Sequence, residues 1–211
     1  MLATAAKKGA LVYLSLAACL AGGCPDPDAR LDAFLEASEE ERNVPPPKED
    51  LGSTLADING DFLLALSSVI DPDHPLQFYC TAMLVQNPDG TGTLSLNFQP
   101  LSLDPQSTTT PRQPVGDALL FEDIQVSAEG AFTLDLGAVA VTGMANPITG
   151  SDIEANLSLS AFIQDENLFC GNVEGAVTMP LMADLSGSTF AATRVTGVDA
   201  LPETFAVACP P

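Results

Sequence analysis

Between Ile153 and Ile163 the chain alternates: Ile153, Ala155, Leu157, Leu159, Ala161 and Ile163 are apolar, and Glu154, Asn156, Ser158 and Ser160 between them are polar. A period of two puts one face of a β-strand in a core and the other in water. Gln164-Asp165-Glu166-Asn167 reads as a turn, after which Phe169, Val173, Val177 and Met179 continue the pattern with Gly171 and Gly175 on the same side. The stretch from Ile153 to Met179 is therefore one long antiparallel hairpin. The remaining apolar segments predict six more strands: Phe62 to Val69, Gln77 to Gln86, Thr93 to Phe98, Leu119 to Val126, Ala131 to Val141 and Thr189 to Val195. With Asp152 to Ile163 and Leu168 to Met179 there are eight. After Pro100 the apolar positions shift to Leu101 and Leu103, which predicts a bulge. No segment after residue 50 has helical spacing.

The connections differ in a regular way. Those after the second, fourth and sixth strands are tight: Asn87-Pro88-Asp89-Gly90, Ser127-Ala128-Glu129-Gly130 and Gln164 to Asn167. The first has Pro and Gly where a type I turn wants them. Those after the first, third, fifth and seventh are longer: Asp71 to Pro75, Gln99 to Asp117, Gly143 to Ser151 and Pro180 to Ser188. In an up-and-down sheet alternate connections fall at opposite ends, so the tight turns share one rim and the long loops the other. Eight such strands close into an antiparallel barrel; a two-sheet β-sandwich is the alternative.

The meander resembles the calycin (lipocalin-like) architecture, and Gly60-Asp61-Phe62 is similar to the Gly-x-Trp start of lipocalins, with Phe for Trp. Inward positions of such a sheet are Leu64, Leu66, Ala82, Leu84, Leu96, Ile124, Leu134, Leu157, Leu159 and Val177. Many are small or medium in size. They leave two readings, a cavity for an apolar ligand or a packed aliphatic core.

The N-terminus carries the other signal. Lys7-Lys8 is followed by an apolar run from Gly9 to Ala18 or Leu20, too short to span a membrane, and then by small residues before a cysteine. This resembles the bacterial lipoprotein signal, whose final Cys is acylated. Ala21-Gly22-Gly23-Cys24 gives the fuller apolar run and Leu16-Ala17-Ala18-Cys19 the closer lipobox, so Cys24 is the expected lipidation site and Cys19 the alternative. An ordinary cleaved secretory leader is the remaining option. The resemblance implies residues 1–24 as signal, and a lipid-anchored protein of the cell envelope, on the outer rather than the inner membrane. Residues 25–55 read as a tether: a short helix with Leu31, Phe34 and Leu35 on one face, then Pro45-Pro46-Pro47 as a stiff spacer. The barrel then occupies residues 56–198 and a tail 199–211. The acidic Ala29-Arg30-Leu31-Asp32-Ala33-Phe34 segment and the loop from Gly143 to Asp152 are similar to uncharacterised lipoproteins of myxobacteria, a likeness that implies no activity.

Charge narrows the partners. Without the leader, five Lys and Arg face 28 Asp and Glu, a net charge of −23. Such a chain repels nucleic acid and anionic headgroups, so membrane attachment falls to acyl chains. A membrane-spanning barrel is disfavoured by the lack of aromatic girdles.

Cysteines outside the leader are Cys80, Cys170 and Cys209. Cys170 starts the seventh strand at the tight-turn rim, where the eighth strand ends, so Cys170 and Cys209 are predicted to form a disulfide that pins the tail across the barrel base. Cys80, placed at the other end, is left as a buried free thiol.

Catalytic chemistry is hard to find. His74 is the single histidine, in Asp71-Pro72-Asp73-His74-Pro75, and there is no Gly-x-Ser-x-Gly elbow. One His and scattered Cys do not make a zinc site. Asp57, Asn59 and Asp61 match the opening of an EF-hand loop, but Phe62 and Ser68 stand where Gly and Glu are needed. Asp71, Asp73 and Asp152 fall on long loops at one end. No enzyme and no cofactor are expected. The expectation is a non-catalytic envelope module that binds a small apolar molecule in the barrel, or alternatively a structural module whose long loops contact another envelope protein.

Overall fold

In the computed structural model, which describes Leu31 and residues 55–211, the alternating segments are all strands. They are β1 (Gly60–Ser68), β2 (Asp71–Gln86), β3 (Gly92–Leu103), β4 (Pro111–Pro114), β5 (Leu119–Val126), β6 (Ala131–Val141), β7 (Ile153–Asp165), β8 (Leu168–Met179), β9 (Ala183–Asp184) and β10 (Ser188–Arg194). Single 3-10 turns stand at Gly143–Ala145 and Val198–Ala200. The leader, Cys19, Cys24 and the tether lie outside the described residues, except for Leu31, which is helical, and Leu55. The chain divides into two units, Met1–Leu51 and Gly52–Pro211, and the strands all belong to the second.

Each main strand pairs antiparallel with the next in the order β1-β2-β3-β5-β6-β7-β8, and β10 closes the ring by pairing with β8 on one side and β1 on the other. This is a closed eight-stranded up-and-down barrel of the expected calycin-like kind, and closure excludes the sandwich. β4 and β9 are short additions on β3 and β8. One seam is thin: β5 and β6 share a single pairing, Val126 with Phe132. Toward the long-loop end they part, and a left-handed Asp123 (φ 58°) shifts the register of β5 against β3.

The chain enters and leaves at the tight-turn rim. Gln86 Nε2 donates to the Leu55 carbonyl, and Val195 N donates to that of Asp61. Inside this half of the barrel, Phe62, Phe132, Phe169 and Phe190 pack with Ile58, Leu84, Leu94, Leu96, Ile124, Val126, Leu134 and Val173. Phe62 and Phe169 meet edge-on at 5.1 Å between centroids. At roughly 1.5–3 kcal/mol for each fully buried large apolar side chain, this plug is a substantial source of stability.

Three local expectations change. The connection after β1 is the two-residue turn Val69-Ile70, because Asp71 to Pro75 already belongs to β2. Cys80 accordingly sits mid-strand between Phe62 and Phe98, not at a strand start. The irregularity near Pro100 lies in the pairing of β3 with β4, between Leu101 and Leu103, while β3 itself runs on to Leu103.

The Cys170–Cys209 disulfide is present, but the tail crosses the barrel wall and not its base. Pro202 O accepts from Arg112 Nη1 on β4, Val207 O accepts from Thr189 Oγ1 on β10, and Cys209 reaches Cys170 on β8. Along this wall, outward positions are fully buried: Leu63 and Ala65 of β1, Ala191 of β10, and Gln77 of β2, whose Nε2 donates to Thr108 O of the β3–β4 loop. Elsewhere the outer face is largely polar, as at Thr133, Asp135, Glu154, Asn156 and Ser160, with Met83, Val85, Leu120 and Phe162 as exposed apolar exceptions.

Candidate functional site

The aromatic plug fills only the tight-turn half of the barrel. Above it, under the long loops, is a cavity of about 300 Å³. Phe78 and Phe98, 6.3 Å apart between centroids, both line it, together with Leu64, Leu76 and Leu159. Its walls are supplied by Leu136, Val139 and Val141 of β6, Ala155 and Leu157 of β7, and Val177 of β8. Among the described residues, the polar ones that line it are Ser68, Asn146 and Thr149. A volume of this size is at the small end for ligand sites. An apolar lining of this kind stays dry and takes an apolar guest.

The ten inward positions divide between the two halves. Leu64, Leu66, Leu157, Leu159 and Val177 line the cavity. Ala82, Leu84, Leu96, Ile124 and Leu134 are packed in the core. Alternation assigns a residue to the inside but not to a level along the barrel axis, which is why the sequence pattern groups all ten.

The rim was not legible in the pattern. Ile70, Leu181 and Met182 line the cavity while being 53%, 79% and 85% exposed. They stand on the β1–β2 turn and on the segment between β8 and β9, and make an apolar margin continuous with the interior. The available signal was an apolar Met-Pro-Leu-Met run, residues 179–182, inside a segment otherwise read as a loop.

The loop between β6 and β7 is held by its own side chains. Asn146, 2% exposed, donates through Nδ2 to Thr149 Oγ1 and Ser151 O. Its Oδ1 accepts from the amides of Ile148 and Thr149. Asp152 Oδ1 accepts from Gly143 N at 2.6 Å, and a Cβ on Gly143 would meet the backbone of Gly150 and Ser151. This network places Ile148 on the cavity wall and pairs both ends of the Asn146 side-chain amide within the loop. A second loop joins it through Gln106 N, which donates to Pro147 O.

The other candidates are dispersed. His74 Nδ1 lies 2.9 Å from both carboxylate oxygens of Asp71, within β2. Asp57 accepts from the backbone and side-chain amides of Asn59, which hold its carboxyl below the ordinary carboxylate range. Asn59 is itself bonded to Leu84, and Asp61 accepts from Thr81 Oγ1, so the three do not converge on one point. Among the described residues no group of three or more His, Cys, Asp or Glu is placed to hold a metal. Cys80 is free and buried, and burial pushes its thiol pKa far up, away from nucleophilic use. No described helix is long and apolar enough to cross a membrane.

Comparison of the chain with protein families, with characterised proteins and with solved structures finds no match.

Proposed function

We propose that this protein is a non-catalytic carrier of a small apolar molecule, anchored by lipid in the bacterial cell envelope. The observation that carries the reading is the cavity of about 300 Å³, walled by aliphatic and aromatic side chains and opening through an apolar rim. A void of about 150 Å³ with such walls accommodates a six-carbon ring, so this one admits on the order of ten to twelve carbon atoms. Burying that much apolar surface supplies the affinity, at about 25 cal/mol per Å² removed from water.

The envelope half of the reading is supported by the lipobox-like leader ending at Cys24 or Cys19, by the Pro45-Pro46-Pro47 spacer, and by a disulfide that suits an oxidising compartment. Leu55, where the described barrel unit begins, is held at the tight-turn rim by Gln86 Nε2, opposite the cavity. Incorporation of a labelled fatty acid, lost in Cys24→Ala or in Cys19→Ala, identifies the acylated residue.

Calorimetric titration with 1-decanol tests carriage. A saturable one-to-one heat with a negative heat-capacity change is expected. Ala155→Phe, which places a ring in the cavity from the middle of β7, should abolish it. No heat in the unsubstituted protein would reject carriage. The exposed Leu181 and Met182 would then favour the second reading, a module that contacts another envelope protein through its long loops.

A further inference from the structure

We infer that the cavity selects by charge: it takes an apolar chain with an uncharged oxygen-bearing head and rejects the anionic head of the same chain. This rests on the carriage reading above and adds the chemistry of the head group to it.

The first ground is where the cations are. From residue 55 to the end the sequence holds two, Arg112 and Arg194. Neither lines the cavity. Arg194 is at the opposite rim, donating to the carbonyls of Asp57, Asn59 and Glu166. Arg112 is buried on the outer wall, donating to Thr108 O and Pro202 O with the Phe205 ring 5.1 Å away. His74 is at the long-loop end, but its Nδ1 is already matched to the Asp71 carboxylate.

The second ground is what the rim segments carry. They bring Asp71, Asp152 and Asp184, in a mature chain of net charge −23. A carboxylate drawn against the apolar margin loses water with no positive partner, and the surrounding field opposes it.

The third ground is what the polar lining offers. Ser68 Oγ accepts from Ile70 N, and Thr149 Oγ1 accepts from Asn146 Nδ2. Each hydroxyl still has a proton to donate, and a hydroxyl proton suits the oxygen of an alcohol, ester or ketone. Cation-free walls, an acidic rim and hydroxyl donors together describe a site for neutral amphiphiles.

The test compares two molecules of one chain length. The purified full-length protein is titrated with 1-decanol and with sodium decanoate at about pH 7.5, where the carboxylic acid is ionised. Decanoate should bind weaker by about tenfold or more, equivalent to roughly 1.4 kcal/mol. Met182→Lys, which sets a cation on the rim, should narrow that ratio. Decanoate binding within about threefold of decanol, or tighter, would overturn the charge selection while leaving carriage intact. A ratio unmoved by Met182→Lys would overturn it too, since the lack of a cation would not be its cause. If neither molecule binds, the carriage reading fails and takes this inference with it.

Discussion

The guanidinium of Arg194 lies 4.7 Å from the centre of the Phe62 ring, so the last strand of the barrel closes over the first. The same side chain donates to the carbonyls of Glu166, Asn59 and Asp57, joining the β7–β8 turn to the segment that leads into β1. Gly60, at φ 129°, makes this possible: a Cβ there would stand 2.7 Å from Arg194 Nη1. Arg194→Ala removes three charge-assisted hydrogen bonds and a cation–π contact from a partly exposed site, and should cost about 2–4 kcal/mol in denaturant unfolding. Arg194→Lys keeps the charge but not the fork, and should recover less than half of that loss.

The tail strap is the second test. Cys170 and Cys209 are 39 residues apart, and a loop of that length predicts a loss of roughly 3–4 kcal/mol for Cys209→Ser on chain-entropy grounds. The physical consequence reaches further than stability. Leu63, Ala65 and Ala191 are fully buried on the wall that the tail crosses, so its release uncovers apolar surface beyond the exposed Met83, Val85, Leu120 and Phe162 that the intact barrel already shows. Cys209→Ser should therefore bind a hydrophobic dye and associate at concentrations where the parent stays monomeric. Analytical ultracentrifugation of the two proteins decides this.

Tyr79 reports on the same wall. Burial, then a hydrogen bond to Asp61 and the charges of Asp61 and Asp199, push its phenol up to about 12. Because the folded value lies above the ordinary value of about 10, its contribution to stability is fully present below pH 10 and is lost as pH rises toward 12. The other tyrosine is Tyr13, so ultraviolet titration of a chain starting at residue 25 reads Tyr79 alone. The midpoint should stand well above that of free tyrosine and fall part of the way back in Asp61→Asn.

What could be read from the sequence, and what could not, follows from the range of the interactions. The meander and its closure were legible because strand alternation and turn length are local properties. The disulfide followed from strand order. The double-sided burial of β1 left a signal in the unbroken run Phe62-Leu63-Leu64-Ala65-Leu66, which lacks a polar face and so calls for cover on both sides. The partner supplying that cover is over a hundred residues away in sequence, and nothing local to β1 names it. Asp71 to Pro75 was misread as a loop because two prolines and two aspartates normally mark one. It is a strand because its residues directly follow a two-residue hairpin turn. Which inward leucines face the cavity and which the plug depends on where Phe62, Phe132 and Phe169, from three strands, come together, a relation that no single segment contains.

The loop above the cavity gives a prediction on stability and binding together. Asn146 makes four hydrogen bonds inside the ten residues it organises. At about 0.5–1.5 kcal/mol net for each, Asn146→Ala should destabilise by roughly 2–4 kcal/mol. Ile148 loses its fixed place on the cavity wall, so decanol affinity should fall as well. Asn146→Asp keeps the acceptor but not the donor, and calorimetry of the pair separates the two halves of the network.

The thin seam supplies the last. In a complete ladder each strand directs alternate amides to its two neighbours. β5 and β6 share the one pairing Val126 with Phe132, whereas β7 and β8 pair along nearly their whole length. The amides of β5 and β6 that face the seam, from Leu119 to Gln125 and from Thr133 to Val141, should therefore exchange at least about a hundredfold faster than those between β7 and β8, because no global opening is needed to reach them. Val139 and Val141 of β6 and Leu119 of β5 flank the seam and line the cavity, so a bound chain braces both edges from inside. Saturating decanol should slow exchange at these positions more than at the tight-turn rim. Uniform slowing across the barrel would instead mark a general gain in stability, with no particular role for the seam.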